Sequence, residues 1–203
     1  MRLNSFVIFF LLFFVGLCPG CDSGPTIEPL ARDAVILAFG DSLTHGTGAQ
    51  KEQSYPSILS GLLERKVLNA GIPGEVSAAG RNRLSDELEK HNPDLVVLCH
   101  GGNDFLRRLD QEKTAENLRS MVELIQASGA DVILLGVPKL GWGLAVPDFY
   151  SEMAKELKIP FEGEILVDLL GDNSMKSDTI HPNATGYRLM AEAIHEVINK
   201  AQK

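Results

Sequence analysis

Five short runs of apolar residues follow one another along the chain after residue 33, and such runs are typical of strands buried in a sheet. They are 34–39, 67–70, 95–99, 132–137 and 165–169. Amphipathic stretches that favour helices separate and follow them, at 55–66, 81–91, 114–128, 148–157 and 183–203. Strands that alternate with helices of this length predict right-handed crossovers. The predicted fold is therefore α/β, a single three-layer αβα domain with a five-stranded parallel sheet covered on both faces.

The first 33 residues have a different pattern, which is typical of an export signal. Arg2 precedes the apolar run 6–17, which is too short to span a bilayer. The next residues, CPGC, resemble the lipobox of bacterial lipoproteins, in which Cys21 becomes the acylated first residue; Cys18 stands where leucine is usual. The segment that follows contains two prolines and a glycine and is typical of a linker.

These patterns predict a signal peptide at 1–20, a tether at 21–33 and one folded domain at 34–203. We expect an exported protein that is anchored by its lipid on the periplasmic side of a membrane, with simple secretion as the alternative. Such a tether would let the folded domain approach lipids of that membrane.

Charge and cysteine content narrow the range of partners. The 203 residues carry a formal net charge of −8, so a basic surface for nucleic acid is not expected. Removal of the signal and acylation of Cys21 would leave Cys99 as the last free thiol, with no intramolecular disulfide. Cys99 lies in an apolar run and is expected to be a small buried hydrophobe.

Polar residues cluster directly after the predicted strands. Because ligands bind outside the carboxyl ends of parallel strands, these segments are expected to share one rim of the sheet. They are GDSLTHG after the first strand, NAGIPGEVSAAG after the second, HGGND after the third, and SDTIHPN beyond the fifth.

The residues at this rim fit nucleophilic catalysis. A serine hydroxyl needs a base, most often histidine, and the histidine needs a third group to orient it. The three-residue spacing of Asp178 and His181 lets the carboxylate reach the imidazole locally, and Ser42 supplies the hydroxyl. Candidate donors to an oxyanion are the backbone N–H groups of Ser42 and Gly74 and the side-chain amide of Asn103.

The four segments, in this order, resemble the SGNH or GDSL family of serine esterases and lipases. GDSL at 40–43, Gly74 in GIPG, GGND at 101–104 and DTIHPN at 178–183 match its blocks. The resemblance implies that Ser42 is the nucleophile, that Asp178 orients the base His181, and that Gly74 and Asn103 complete the oxyanion hole. It also implies a flavodoxin-like fold, a small ester or thioester substrate, and no cofactor or metal.

Within that family the segments around GIPG and GGND look most like the subgroup of thioesterase I, lysophospholipase L1 and arylesterase. His100 is a departure, because this subgroup commonly has a small or apolar residue there. It leaves room for a different substrate preference.

Other interpretations of the same residues remain open. Ser42 could cap the following helix, Asn103 could form a glycine turn, and His45 could be proposed as the base. Asp178 and His181 could bind a metal, although no third ligand stands at a recognisable spacing. The HGG sequence at 100–102 also occurs in α/β-hydrolases, but the chain has no GxSxG motif.

Three functions are compatible with the pattern. The first is an esterase or thioesterase, the second a carbohydrate O-acetylesterase, and the third a catalytically silent protein that binds an acyl or glycan ligand. The apolar segment 138–150, which contains Trp142, could line an acyl pocket or simply pack over the start of a helix. The oligomeric state is not predicted.

Overall fold

The computed structural model describes residues 24–141 and 143–202. The predicted signal peptide, Cys21 and Trp142 lie outside the described residues. Within these ranges no helix is long and apolar enough to cross a membrane.

Five parallel strands form one sheet at the centre of the domain. They are β1 (Val35–Gly40), β2 (Lys66–Gly71), β3 (Leu95–Cys99), β4 (Asp131–Leu135) and β5 (Phe161–Glu162). Their spatial order is β2-β1-β3-β4-β5, and every neighbouring pair is parallel. The sheet has the strand order of a flavodoxin-like fold, and the predicted fold class is confirmed.

Eight α-helices in the described part of the chain cover this sheet. They are α1 (Ser42–His45), α2 (Tyr55–Leu63), α3 (Ser77–His91), α4 (Gly102–Leu106), α5 (Gln111–Ala127), α6 (Phe149–Leu157), α7 (Ile165–Gly171) and α8 (Ala184–Ala201). Short 3₁₀ turns occur at Lys51–Gln53 and Asn173–Met175. Helix α8 packs with α2 and α7, whereas α5 packs with α3 and α6, so two helical layers enclose the strands.

Two of the predicted strands differ from the structure. The run 165–169 forms helix α7, in which Leu166, Leu169 and Leu170 are buried at helical spacing. A short apolar run does not distinguish a strand from a buried helix, and here the prediction of a strand was wrong. The fifth strand instead lies just before it, at Phe161–Glu162. The second strand was expected to be buried, but β2 is the edge strand and is partly exposed.

The start of the described chain is attached to the domain at the amino-terminal ends of the strands. Ile27 is buried, and its N–H donates to the carbonyl of Ala201, 3.1 Å away. The N–H of Glu28 donates to the carboxylate of Asp131 at 2.7 Å, and that of Leu30 to the side chain of Gln202 at 2.8 Å. Part of the predicted tether therefore lies against the domain.

Strands β1 and β3 approach closely where they end. Gly40 pairs with Cys99 in the parallel register, and a Cβ atom at residue 40 would overlap the carbonyl oxygen of Cys99 and the hydroxyl of Thr44. A glycine is therefore required at this position, one residue before the turn that carries Asp41 and Ser42.

We expect Gly40→Ala to lower the free energy of unfolding by about 2–3 kcal/mol, because overpacking forces the two backbones apart. Gly61→Ala is the matched control, because Gly61 lies in α2 and no atom is near the position of its missing Cβ. This substitution should raise the free energy of unfolding by about 0.5–1 kcal/mol. Urea unfolding measures both. Equal effects of the two substitutions would show that the strand ends tolerate separation.

Candidate active site

Ser42 is the first residue of the short helix α1, directly after β1 and Asp41. The carboxylate of Asp41 accepts a hydrogen bond from the N–H of Leu43 at 3.1 Å, so Asp41 is the N-cap. Gly46, with φ of 92°, ends the helix in the left-handed conformation. The proposal that Ser42 caps the helix is therefore wrong, and its hydroxyl is available for another partner.

That partner is His181, which the fold brings to Ser42 from 139 residues away. Its Nε2 lies 3.0 Å from the hydroxyl oxygen of Ser42, and its Nδ1 lies 2.7 Å from Oδ2 of Asp178. With a proton on Nδ1, the ring donates to Asp178 and accepts from Ser42. This tautomer has a base aimed at the serine proton.

Asp178 is fixed by its own loop as well as by the imidazole. Its Oδ1 accepts hydrogen bonds from the backbone N–H groups of Ile180 and His181 at 2.8 and 2.9 Å. Partial desolvation opposes ionisation, but the hydrogen bonds from His181 and from these two N–H groups prevail and lower the pKa of Asp178. Asp178 is therefore a carboxylate at neutral pH.

Asn103 lies in α4, directly after β3, and faces the same cavity as Ser42 and His181. Its side-chain amide donates to Oδ2 of Asp41 at 3.0 Å. An amide nitrogen carries two hydrogens, so the second remains for a ligand. The glycine-turn alternative for Asn103 does not account for this side-chain position.

Gly74, unlike Ser42, Asn103 and His181, does not line the cavity of the candidate site. It has a φ of 76°, and its carbonyl accepts a hydrogen bond from Arg107 at 2.7 Å. Its N–H donates to no group in the part of the chain that the structure describes.

Asp41 is buried beneath this site, with 1% of its surface exposed. Burial raises the pKa of Asp41 above its ordinary value, although the nearby His100 and hydrogen bonds from Leu43 and Asn103 oppose the shift. Its two oxygens connect the N-terminus of α1 with the Asn103 amide. Asp41 thereby fixes the turn that carries Ser42 relative to the segment that carries Asn103.

A second buried network, which the sequence did not reveal, supports the same strand ends. His100 is fully buried; its Nε2 lies 3.1 Å from Glu75, and its Nδ1 accepts from the N–H of Gly101 at 3.0 Å. Arg83 binds Glu75 at 2.7 Å and also donates to the carbonyl of Gly40. Gly80 makes room for the imidazole, because a Cβ there would lie 2.5 Å from Nε2.

His100 therefore does not line the cavity, and its side chain offers no direct route to a changed substrate preference. Although buried, Glu75 has a lowered pKa, because hydrogen bonds from His100 and Arg83 outweigh the desolvation. The HGG sequence at 100–102 also occurs in α/β-hydrolases, but it gave no indication that His100 is buried and hydrogen-bonded to Glu75.

A cavity of about 220 Å³ opens at Ser42 and His181. Polar groups, including Asn103 and Arg108, form one part of its walls, and apolar side chains form the other. The apolar side chains include Phe105, Leu106, Val137, Pro138, Leu140 and Leu170. The segment 138–150 thus contributes to the cavity through Pro138 and Leu140, whereas Tyr150 is buried in the core. One part of this segment thus lines the cavity and another packs at the start of α6, whereas an acyl group in the cavity stays a prediction.

Two alternatives left by the sequence, His45 as the base and a metal site, can be compared with these positions. The side chain of His45 is exposed, and in the described part of the chain no group is hydrogen-bonded to its imidazole. Among the described residues, no group of three His, Cys, Asp or Glu side chains could hold a metal ion, so Asp178 and His181 gain no third ligand. Cys99 is buried as expected, and burial raises the pKa of its thiol well above the ordinary value.

The match to a family model agrees with this geometry. Residues 38–189 match the model of the GDSL-like lipase/acylhydrolase family, which is about three quarters of the chain. The chain belongs to this family, and its class is that of the serine ester hydrolases.

Relatives with known names fall in the predicted subgroup. The chain is 33% identical to the esterase TesA of Pseudomonas aeruginosa over 179 residues, which covers 82% of this chain and 88% of the relative. It is 31% identical to an arylesterase of Vibrio mimicus over 176 residues, with 81% and 88% covered. It is 29% identical to thioesterase 1/protease 1/lysophospholipase L1 of Escherichia coli over 175 residues, with 82% and 84% covered.

The fold is also similar to a solved structure. The crystal structure of a TesA protein superimposes with a TM-score of 0.73 and 28% sequence identity, over 81% of this chain and 97% of that one. The likeness extends over nearly the whole of the solved chain.

Proposed function

We propose that the protein hydrolyses carboxylic esters of short acyl chains, and thioesters by the same chemistry, through an acyl-enzyme on Ser42. The observation that carries this proposal is the continuous series of hydrogen bonds from the Ser42 hydroxyl through His181 to Asp178. A protein that only binds an ester has no need of a base aimed at a serine proton.

In the first half of the proposed reaction, His181 Nε2 takes the proton as Ser42 Oγ attacks the acyl carbon. Asp178 stabilises the imidazolium that forms. The backbone N–H of Ser42 has no intrahelical acceptor, since Ser42 opens α1, and it can donate to the oxyanion. The free amide hydrogen of Asn103 and the N–H of Gly74 would be the other donors.

His181 then returns the proton to the departing alcohol or thiol, which completes the first half and leaves the acyl group on Ser42. In the second half, water enters the vacated position and attacks the acyl carbon while His181 removes its proton. His181 then gives that proton to Ser42 Oγ as the acid leaves, which restores the serine. Each step moves one proton through His181 Nε2, so both halves of the reaction use the same geometry.

The size of the cavity supports a short acyl group. Its volume of about 220 Å³ lies below the 300–1,000 Å³ that is typical of ligand pockets. The apolar part of its walls suits a hydrocarbon chain, and the names of the relatives refer to esters, thioesters and lysophospholipids. The relatives' names support the class of bond, and the cavity supports the short chain.

We expect Ser42→Ala to lower ester turnover to near background and to abolish labelling by a fluorophosphonate. Asn103→Ala should keep the labelling but lower turnover by about 10²–10³, because one oxyanion donor is lost. Because Asn103→Ala also removes a hydrogen bond to Asp41, thermal unfolding is measured to show that the variant is still folded. Near-normal turnover of a folded Ser42→Ala protein would refute the acyl-enzyme, and an unchanged rate in the Asn103 variant would remove that residue from the oxyanion hole.

Acyl-chain preference should depend on Leu140 and not on His100. Leu140 lines the cavity, so Leu140→Ala should shift the optimum of a p-nitrophenyl ester series, from acetyl to palmitoyl, toward longer chains. His100→Gln is the matched comparison: His100 is buried behind the site, so its replacement should leave the order of preference unchanged even if stability falls. If the order of acyl-chain preference changed in the His100 variant and stayed the same in the Leu140 variant, the acyl group would not bind in the cavity that Leu140 lines.

We further propose that the mature protein begins at Cys21 and is held at a membrane by acyl chains on that residue. The support is the lipobox-like sequence and the apolar run before it. Two or more acyl chains give stable anchoring, whereas one chain binds only weakly.

If so, Cys21→Ala should block lipoprotein processing, abolish incorporation of labelled palmitate and release the protein from the membrane fraction. Cys18→Ala is the control and should leave labelling intact, because Cys18 would be removed with the signal. A soluble, unlabelled wild-type protein with another mature N-terminus would instead support simple secretion.

A further inference from the structure

The described chain enters the domain at the end opposite the candidate active site. The N–H of Ile27 donates to the carbonyl of Ala201, and Ile27 forms a parallel bridge with Gln202, directly after α8. The N–H of Glu28 binds the carboxylate of Asp131, the first residue of β4. These contacts lie at the amino ends of the strands, and Ile27 is only 5% exposed.

The catalytic groups lie at the other end of the same elements. Ser42 follows the carboxyl end of β1, and His181 precedes the first residue of α8, Ala184. Helix α8 has 18 residues. At 1.5 Å per residue, it separates the Ile27 attachment from the active-site end by about 27 Å.

The covalent link from the proposed anchor is shorter than this distance. Five residues, 22–26, lie between Cys21 and Ile27. Even fully extended, the six steps from Cys21 to Ile27 reach at most about 21 Å, at about 3.5 Å per residue. The anchor residue therefore cannot reach the level of the catalytic rim while Ile27 stays bound to the end of α8.

We propose that the anchored enzyme holds its active site turned away from the bilayer that contains its lipid. Its substrates are then esters that arrive from the aqueous side, and lipids of the anchoring bilayer are excluded. This inference rests on the proposed acylation of Cys21. It also replaces the expectation that the tether lets the catalytic rim approach esters in that membrane.

Energy transfer from the protein to a membrane dye tests this orientation. The acylated protein is reconstituted into phosphatidylcholine vesicles that contain a lipid-linked acceptor, with a donor dye on one introduced cysteine. Lys200→Cys places the donor near the end of α8, at an exposed position. Asn173→Cys places it at the other end, beside Ser174, whose carbonyl accepts from the α8 cap residue Asn183. Cys99 is buried and Cys21 would carry the lipid, so the introduced thiol is the labelled one.

We expect clearly stronger transfer from residue 200 than from residue 173. Insertion of about 24 Gly and Ser residues after Ser23 should reduce that difference, because a flexible linker of this length reaches beyond the domain. The insertion should also raise the rate on an ester embedded in the same vesicles, relative to the rate on a water-soluble ester. An insertion of equal length after Gln202 controls for added chain.

The possible failures are separable. Equal or reversed transfer in an anchored wild-type protein, or no effect of the insertion on either readout, would overturn the orientation. Absence of labelled palmitate would overturn the proposed anchoring itself. Loss of activity on the water-soluble ester in Ser42→Ala tests the proposed chemistry and is independent of both.

Discussion

The close parallel approach of β1 and β3 at their carboxyl ends is the constraint on which the site depends. Gly40 and Cys99 are the last pair in their register, and only a glycine leaves room for the Cys99 carbonyl. From β1 the chain turns to one side, to β2, and then crosses over to β3 on the other side. Such a reversal of strand order leaves a crevice at the carboxyl ends of the two strands.

The two segments that leave this crevice are held together by one buried carboxylate. Asp41 accepts hydrogen bonds from Leu43 in α1 and from Asn103 in α4, so the proposed nucleophile Ser42 and the proposed oxyanion donor Asn103 share a support. Below them, His100 and Glu75 stabilise the turn into α4. Buried polar groups of this kind require satisfied partners, and their satisfaction specifies one arrangement of the loops.

His181, the proposed base, lies on a separate loop that is stabilised by its own contacts. An antiparallel bridge between Lys176 and Pro182 closes the loop, and the N–H of Ser177 donates to the carbonyl of His181 at 3.0 Å. Tyr187 of α8 then donates to the carbonyl of Thr47 at 2.8 Å, which joins α8 to the chain beyond α1. These contacts explain how residues 139 apart in sequence meet within hydrogen-bond distance.

Sequence patterns predicted the parts of this arrangement that local spacing determines. The interval between Asp178 and His181 sufficed for their contact, and the last predicted helix, 183–203, matches α8, which Asn183 caps. The run 165–169 could not be assigned correctly, because its apolar residues fit either a strand or a buried helix. The network of Glu75, Arg83 and His100 depends on long-range burial, for which a single sequence contains no signal.

Asp41 and Asp178 both lie near Ser42, but their surroundings shift their pKa values in opposite directions. Asp41 is buried, and the burial raises its pKa; Asp178 is half-exposed and has a lowered pKa because three hydrogen bonds favour its charged form. A catalytic imidazolium gains most from a partner that is already charged. Asp178 therefore suits the stabilisation of His181, whereas Asp41 suits a structural role in which its two oxygens accept from fixed N–H donors. The same residue type thus serves the chemistry at the surface of the site and the geometry beneath it.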